Sequence, residues 1–208
     1  MLESPVEAVE WDNGVAKAIG SEHGKLPTLT LKEIAAASPT TGGPIAGHHE
    51  VTADGAGVSF ASHIVDVEVD PETGSTRVIR YTVVQDAGKA IHPTYVEGQF
   101  QGAAAQGIGW ALNEEYIYGD DGCLQNPGFL DYRMPVCSDL PFIDTKILEI
   151  PNPNHPYGVR GVGETSIVPP LAAIGTAVSN AVGVRLHPVP LSPPRILTAL
   201  HDLAGLSL

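Results

Sequence analysis

The chain has 208 residues, of which 43% are hydrophobic and 17% charged, so it can bury one sizeable core or two small ones. Its formal charge of −13, from 24 acidic and 11 basic residues, argues against a nucleic-acid or anionic-membrane surface, because such surfaces need clustered lysine and arginine. Cys123 and Cys137 are the only cysteines, too few for a disulfide scaffold or for the about four thiolates that hold an iron–sulfur cluster. Small molecules and proteins remain as partners, and any such cluster is expected on another polypeptide.

The sequence carries no targeting signal that we recognise. No apolar run approaches the length of a membrane span, and the opening Met1-Leu-Glu-Ser-Pro5 has neither the basic start nor the apolar core of a signal peptide. We therefore expect a cytoplasmic protein.

The first part of the chain contains patterns for short elements only. The pair Asn13-Gly14 predicts a β-hairpin turn, and the spacing of Thr30 and Glu33 predicts a capping box that opens a short helix. Residues 38–44, Ser-Pro-Thr-Thr-Gly-Gly-Pro, break regular structure and are the strongest linker candidate.

The middle of the chain predicts strands. Residues 62–70 alternate between apolar and polar side chains, and residues 78–84 form a second apolar run. The turn sequence Asp70-Pro-Glu-Thr-Gly74 between them predicts a β-hairpin. A further strand is predicted over residues 146–150.

Apolar residues at helical spacing predict three helices, over residues 94–116, 169–183 and 193–203. The first two have an apolar stripe, and the strands have alternating or continuous apolar runs, so these surfaces must be buried against each other. We therefore predict an α+β fold in which the first two helices cover a sheet made by the hairpin and the later strand.

The helix over residues 94–116 also carries a polar stripe. Gln99, Gly102 and Gln106 follow at i, i+3 and i+7 and share one face, with the glycine leaving room between two amides. A glycine inside a helix costs roughly 1 kcal/mol relative to alanine, which suggests that another group approaches closely. From these residues alone, a ligand-facing stripe and a solvated glutamine face are equally good interpretations.

A glycine-rich segment that ends in a carboxylate spans residues 158–164, Gly-Val-Arg-Gly-Val-Gly-Glu. Its glycines permit positive φ and a close approach of the backbone to a ligand, and Glu164 precedes the helix that begins with proline. The segment suits a base held against a bound ligand, but from these residues alone a plain glycine-rich connection with a surface glutamate is the favoured interpretation.

Short motifs follow one another between residues 65 and 200. They are Asp66-Val-Glu-Val-Asp-Pro-Glu-Thr-Gly74, Asp86-Ala-Gly88, Gly98-Gln-Phe-Gln-Gly102 with Gln106-Gly-Ile-Gly109, Asp131-Tyr-Arg-Met-Pro135 and Gly161-Val-Gly-Glu164. Each is weak alone, but the ordered set resembles the C-terminal part of the molybdenum-binding large subunit in the xanthine dehydrogenase and aldehyde oxidase family, the molybdenum hydroxylases. The resemblance implies a mixed sheet with helices packed on it.

The resemblance also implies a molybdopterin-type molybdenum cofactor, with the metal held by the pterin dithiolene instead of by protein side chains. It implies that Gln99 contacts the pterin and that Gly163 and Val162 let the backbone come close to the ligands of the metal. Glu164 would take the proton from the Mo–OH group as an aldehyde or N-heterocycle is oxidised with water-derived oxygen. The [2Fe-2S] and FAD groups of such enzymes are expected on other chains.

The chain is expected to hold about half of a complete molybdenum site. Residues 1–60 are interpreted as a connecting segment and linker, and residues 61–208 as the C-terminal molybdopterin-binding domain. Nothing in the chain matches the N-terminal molybdenum-binding region of such subunits. We therefore expect the remaining molybdenum-subunit polypeptide and iron–sulfur and flavin subunits as partners, and no turnover by the isolated chain. The alternative is a non-catalytic assembly or interaction module of the same fold that has lost the cofactor.

Overall fold

The computed structural model describes residues 5–19, 28–52 and 57–205. The chain divides into two compact units, Met1–Thr52 and Ala53–Leu208, and each unit contains a three-stranded sheet. The interpretation of residues 1–60 as a connecting segment stays a prediction.

The first unit is a small antiparallel sheet with one short helix. Its elements are β1 Val9–Asp12, β2 Val15–Ala18, β3 Leu29–Thr30 and α1 Leu31–Ala37. The turn between β1 and β2 has φ of 45° at Asn13 and 81° at Gly14, as a type I′ hairpin turn requires. At the start of α1, the Glu33 amide donates to Thr30 Oγ1 and the Thr30 amide donates to the Glu33 carboxylate. The predicted hairpin and capping box are therefore confirmed.

The second unit is a mixed sheet covered by helices. Its elements are β4 Ala61–Val69, β5 Thr76–Asp86, α2 Pro93–Leu112, β6 Ile143–Leu148, α3 Pro170–Val182 and α4 Pro193–Leu203. The strand order is β4-β5-β6, with β4 antiparallel and β6 parallel to β5. Helix α2 packs on β5 and β6, and α3 packs on β4 and α2. The predicted α+β fold with a helix-covered mixed sheet is confirmed.

A bulge in the hairpin keeps the apolar side chains of β5 on the covered face. The register shifts between Asp66 and Val67, so that Ile79 has no partner on β4. This extra residue changes the alternation, and Val78 and Tyr81 are both buried although three positions separate them. The largest fully buried side chains of the core include Tyr81, Phe100, Ile108, Ile174 and Ile196.

Helix α2 ends earlier than the sequence predicts, at Leu112 instead of near Tyr116. The buried Asn126 binds the backbone that follows the helix. Its Oδ1 accepts a hydrogen bond from the Ile117 amide at 3.0 Å, and its Nδ2 donates to the Glu115 carbonyl at 2.7 Å. Because this partner comes from a later loop, the apolar spacing within the helix could not predict how the backbone after the helix is held.

Strand β6 lies over Ile143–Leu148 instead of over residues 146–150. It pairs in parallel with β5 up to the partners Asp86 and Leu148. The next part of the chain leaves the ladder, because the Ile150 amide donates to the Asp86 carboxylate at 3.1 Å. The end of β5 therefore also sets the end of β6.

One described stretch is long and apolar enough to be considered as a membrane span. Thr165–Val182 covers 18 residues with a mean hydropathy of 1.2, and 28% of it is buried. It consists of a 3₁₀ turn, Thr165–Ile167, and the 13-residue helix α3, whose buried Ile174 and Val178 belong to the core. A helix of that length is shorter than a bilayer core of about 30 Å, so we interpret α3 as a core helix.

The carboxyl end of β5 binds the backbone of two later segments through Asp86. Its carboxylate accepts hydrogen bonds from the amides of Gly88 at 2.9 Å and Ile150 at 3.1 Å, and it pairs with Arg160 Nε at 2.9 Å. The Asp86 and Arg160 side chains are only 7% and 13% exposed, so water does not replace these contacts easily. Arg160 also donates to the Val58 carbonyl at 2.6 Å. The glycine-rich segment over residues 158–164 is thereby fixed at its start.

Gly88 allows this segment to approach the end of β5. Its φ is +61°, and a Cβ atom there would overlap the Gly158 carbonyl oxygen and lie 2.9 Å from the Arg160 amide nitrogen. The backbone bonds run in both directions, from the Lys89 amide to Gly158 at 2.8 Å and from the Arg160 amide to Ala87 at 3.1 Å. A side chain at position 88 would therefore separate the backbone around Gly88 from the backbone around Gly158.

We expect Gly88→Ala to destabilise the chain far more than Gly122→Ala, which also has positive φ but leaves open space around the added methyl group. The left-handed conformation alone costs about 1–2 kcal/mol for a residue with a Cβ atom. The overlap with Gly158 adds about 1–3 kcal/mol at position 88. Urea unfolding of both purified variants measures the difference, and equal losses of unfolding free energy would contradict the close approach.

His63 is a titratable group within the covered face of the hairpin. Its Nδ1 lies 2.8 Å from the Tyr81 hydroxyl, and its Nε2 is buried without a hydrogen-bond partner among the described residues. Burial lowers the pKa of His63 from its ordinary 6.5 to about 4. Because the unfolded chain then binds a proton that the folded chain does not, stability falls as the pH drops from 6.5 towards 4.

We expect His63→Asn to flatten the loss of unfolding free energy between pH 6.5 and pH 4. The asparagine Oδ1 can accept a hydrogen bond from the Tyr81 hydroxyl and does not titrate. The measurement is the urea midpoint across this pH range for wild type and variant, with the exposed His155→Asn as control. Parallel pH profiles for wild type and His63→Asn would show that the imidazole is not the titrating group.

Candidate functional site

Helix α2 turns one face to the core and the other to a cleft. Phe100, Ala104 and Ile108 are buried in the core. The opposite face carries Gln99 and Gln106 into a cavity of about 450 Å³, whose other α2 residues are Gly98, Gly102, Ala103 and Trp110. Apart from the neighbouring backbone of the helix itself, no atom of the described residues lies within 4 Å of a Cβ built at Gly98 or Gly102, so another group can come close to the helix there. The polar stripe therefore lies along a cleft.

The glycine-rich segment forms the other wall of this cleft. Gly163, Glu164 and Ile167 line the cavity together with the α2 residues. A Cβ at Gly163 would lie 3.4 Å from Gln99 Oε1, which is van der Waals contact. The structure thus brings Gln99, Gln106, Gly163 and Glu164 to one cleft, and all four are exposed to solvent. Sequence reasoning left Gln106 undecided, and its location in the cleft adds it to the candidate residues.

The backbone of the segment differs from the sequence expectation in two respects. Of the three glycines, only Gly158 has positive φ, at +69°. Glu164 does not stand at the start of α3, because it precedes the 3₁₀ turn Thr165–Ile167 and α3 begins at Pro170. The Glu164 carboxylate therefore does not lie at the N-terminus of a long helix. Its position is set by the loop that carries it.

A buried pair that sequence reasoning missed ties this loop to the sheet. Ser166 Oγ donates to Gln85 Oε1, and Gln85 Nε2 donates to the carbonyls of Gly161 at 3.4 Å and Val162 at 3.5 Å. Both side chains are fully buried. The available signal was the alternation of β5, in which the glutamine occupies an inward position of an apolar strand.

Val162 faces a second, smaller cavity. This cavity of about 240 Å³ also contains Gln99, and its walls include His92 and Tyr95, whose rings stack with centroids 3.9 Å apart. The Val162 side chain is half-buried and packs against the core. Its side chain is thus not among those that line the cleft with Glu164, and the predicted contact of its backbone with a cofactor stays a prediction.

A larger cavity, of about 660 Å³, lies on α3 and the loop that follows it. It contains none of the predicted site residues, so we do not assign the site to it. Its lining includes Ser179, Asn180, Arg185 and His187.

The cleft suits an organic ligand with many polar edges. Gln99 and Gln106 can each donate and accept hydrogen bonds, and Glu164 supplies an acceptor. No group of three or more histidine, cysteine, aspartate or glutamate residues that could hold a metal ion occurs in the described ranges. Three glycines and two amides along one cavity fit a pterin with a polar ring edge.

Comparison with known proteins also indicates a chain that binds a pterin cofactor. The family model described as the molybdopterin cofactor-binding domain matches residues 1–141, which include α2 and end before the loop that carries Glu164. The xanthine dehydrogenase molybdenum-binding subunit of Escherichia coli O157:H7 is 36% identical over 86% of this chain and 24% of its own length. Subunit gamma of the 6-hydroxypseudooxynicotine dehydrogenase complex of Paenarthrobacter nicotinovorans is 33% identical over 98% of this chain and 26% of its own length.

Comparison with solved structures shows the same fold over nearly the whole chain. The crystal structure of quinoline 2-oxidoreductase from Pseudomonas putida 86 superposes with a TM-score of 0.82 at 31% identity, over 97% of this chain and 27% of that one. The chain thus spans about a quarter of the length of the relatives that it matches. Since the family model covers more than half of the chain, we conclude that it belongs to the molybdopterin cofactor-binding family of the molybdenum hydroxylases, as the ordered motifs predicted.

Proposed function

We propose that the chain is a catalytic part of a molybdenum hydroxylase that oxidises an aldehyde, an N-heterocycle or a related small molecule with water-derived oxygen. The observation that carries the proposal is the cleft that Gln99, Gly163 and Glu164 line together. The names of its relatives refer to xanthine, 6-hydroxypseudooxynicotine and quinoline, and these names support a small heterocyclic or carbonyl substrate.

The residues of the cleft divide into binding and proton-transfer roles. Gln99 and Gln106 hold the polar edge of the pterin, and the open faces of Gly98, Gly102 and Gly163 let the cofactor lie against backbone. When bound, the molybdenum cofactor supplies the two-electron oxidation chemistry. The protein supplies orientation and hydrogen bonds.

Glu164 acts as the general base in this proposal. Its carboxylate lies in the same cleft as the two amides and is exposed, so it can accept a proton from a group bound there. Its side chain makes no capping hydrogen bond to the turn that follows, which leaves the carboxylate oxygens free for that purpose. The carboxylate accepts at Oε1 or Oε2 the proton released as substrate is oxidised.

The cleft needs further polypeptide to close around a cofactor. All of its principal residues are exposed in this chain, and an anionic cofactor held on one side only would bind poorly. We infer that residues 61–208 form about half of the site and that the remaining molybdenum-subunit polypeptide covers it. Iron–sulfur and flavin subunits would then take the electrons in a cytoplasmic complex, and the isolated chain would not turn over. The amides and the carboxylate in one cleft favour this proposal over an assembly module that has lost the cofactor.

Gln99→Ala should lower the molybdenum and pterin content of the complete complex. A hydrogen bond to a charged group contributes about 1.5–3 kcal/mol, so we expect the cofactor to be held about 10- to 100-fold more weakly. The control is Gln101→Ala on the same helix, whose amide donates to the Ile143 carbonyl at 3.3 Å instead of facing the cleft. Metal analysis and pterin fluorescence of purified complexes give the content, and equal loading of both variants would favour a solvated glutamine at position 99.

Glu164→Gln should keep the cofactor and the shape of the complex but lose most of the turnover. The amide has the size of the carboxylate and cannot accept the proton, and loss of a positioned base lowers kcat by about 10²–10⁴-fold. The matched control is Glu72→Gln in the exposed turn between β4 and β5, which should leave kcat unchanged. The measurement is kcat from steady-state kinetics at equal molybdenum content, with a substrate that the wild-type complex oxidises. A kcat near wild type for Glu164→Gln would remove the base from the proposal.

A further inference from the structure

We propose that Gln85 and Ser166 are positioning residues for Glu164, an inference that rests on the function proposed above. The two buried side chains fix the loop on both sides of the glutamate. Gln85 binds carbonyls that precede Glu164, and Ser166 lies two residues after it. They act through the loop backbone and line neither the cleft nor the smaller cavity beside it.

The orientation of the Gln85 amide follows from its partners. Its Oε1 accepts the hydrogen bond from Ser166 Oγ, so its Nε2 must face the other way, towards the carbonyls of Gly161 and Val162. A glutamine amide has a donor end and an acceptor end, and this loop uses both. A side chain with only one of these ends could hold one side of the loop and not the other.

The central strand of the sheet carries the Gln85 amide. Gln85 lies on the central strand of the sheet, where its backbone pairs with Ala61 on β4 and with Ile147 on β6. The side chains of Gln85 and Ser166 are both 0% exposed, so water cannot replace either partner without opening the core. The loop is thus bound to the central strand of the second unit's sheet.

Glu164 depends on this support because little else restrains it. Its side chain is exposed and makes no capping hydrogen bond, and Gly161 and Gly163 on its N-terminal side add backbone freedom. The further local hydrogen bonds are long, from the Ile167 amide to the Glu164 carbonyl at 3.2 Å and from Thr165 Oγ1 to the Gly161 carbonyl at 3.5 Å. The position of the carboxylate relative to Gln99 therefore follows from where Gln85 and Ser166 hold the loop.

A glutamate at position 85 separates positioning from simple packing. Gln85→Glu keeps the shape of the side chain. When protonated, the new carboxyl can donate to a loop carbonyl and accept from Ser166, as the amide does. When ionised, it can only accept, and it then faces two carbonyl oxygens without a donor. Burial and these carbonyls raise the pKa of such a carboxyl above that of an ordinary glutamate.

We therefore expect the pH profile of kcat for Gln85→Glu in the complete complex to gain a descending limb on the alkaline side. In that limb kcat should fall about 10- to 100-fold while KM changes little, since misplacement of a catalytic group by about 1 Å costs that much. The control Gln101→Glu also replaces an amide that donates to a carbonyl, remote from the loop, and should show no new limb. A Gln85→Glu profile parallel to wild type would overturn the proposal.

Hydrogen exchange provides a readout that does not depend on activity. Ser166→Ala removes only the hydroxyl, and the amides of Ile167 and Val168, which donate to the carbonyls of Glu164 and Thr165, should then exchange at least about tenfold faster in the folded protein while those of β5 do not. Ser166→Ala also tests the positioning role if Gln85→Glu does not fold. Unchanged exchange, or faster exchange with unchanged kcat, would overturn the positioning role. Full turnover by Glu164→Gln would instead overturn the proposed function, while the exchange data would still report on the loop.

Discussion

The carboxyl end of β5 is the constraint on which the site depends. Gln85 and Asp86 are consecutive residues of a strand, so their side chains point in opposite directions. Asp86 binds Arg160 at the start of the glycine-rich loop, and Gln85 binds the loop further on, up to Ser166. Both side chains are buried, which makes unpaired alternatives costly. One strand end thereby fixes a loop that contains several glycines and would otherwise be poorly restrained.

The glycines of α2 serve two different purposes. A Cβ at Gly107 would overlap Pro170 at the start of α3, and a Cβ at Gly109 would overlap Glu114 and come within 2.6 Å of Pro135. These two glycines permit close packing of the helix within the protein. Gly98 and Gly102 have open space above them and line the cleft. Close packing thus offsets the cost of glycine near the C-terminal end of α2. Near its N-terminal end, the glycines leave room for a ligand.

The site combines residues from two parts of the chain. Helix α2 lies within residues 1–141, which the family model matches, whereas the loop with Glu164 lies beyond them. The cleft exists only because α2 packs on the sheet whose central strand holds the loop. Disturbing the core between them would therefore move the amides relative to the carboxylate, even if every residue of the cleft were kept.

The sequence by itself determined what depends on neighbouring residues. The bounds of α4, the Asn13-Gly14 turn and the stripe from Gln99 to Gln106 follow from local spacing, and the structure has them as predicted. Only the tertiary structure decided where α2 stops and what holds Glu164. The backbone after α2 is bound by Asn126 from a later loop, and the loop of Glu164 is held by a hydrogen bond between residues 81 positions apart. Periodicity reports which side of an element is buried, but it does not identify the remote group that completes a buried hydrogen bond.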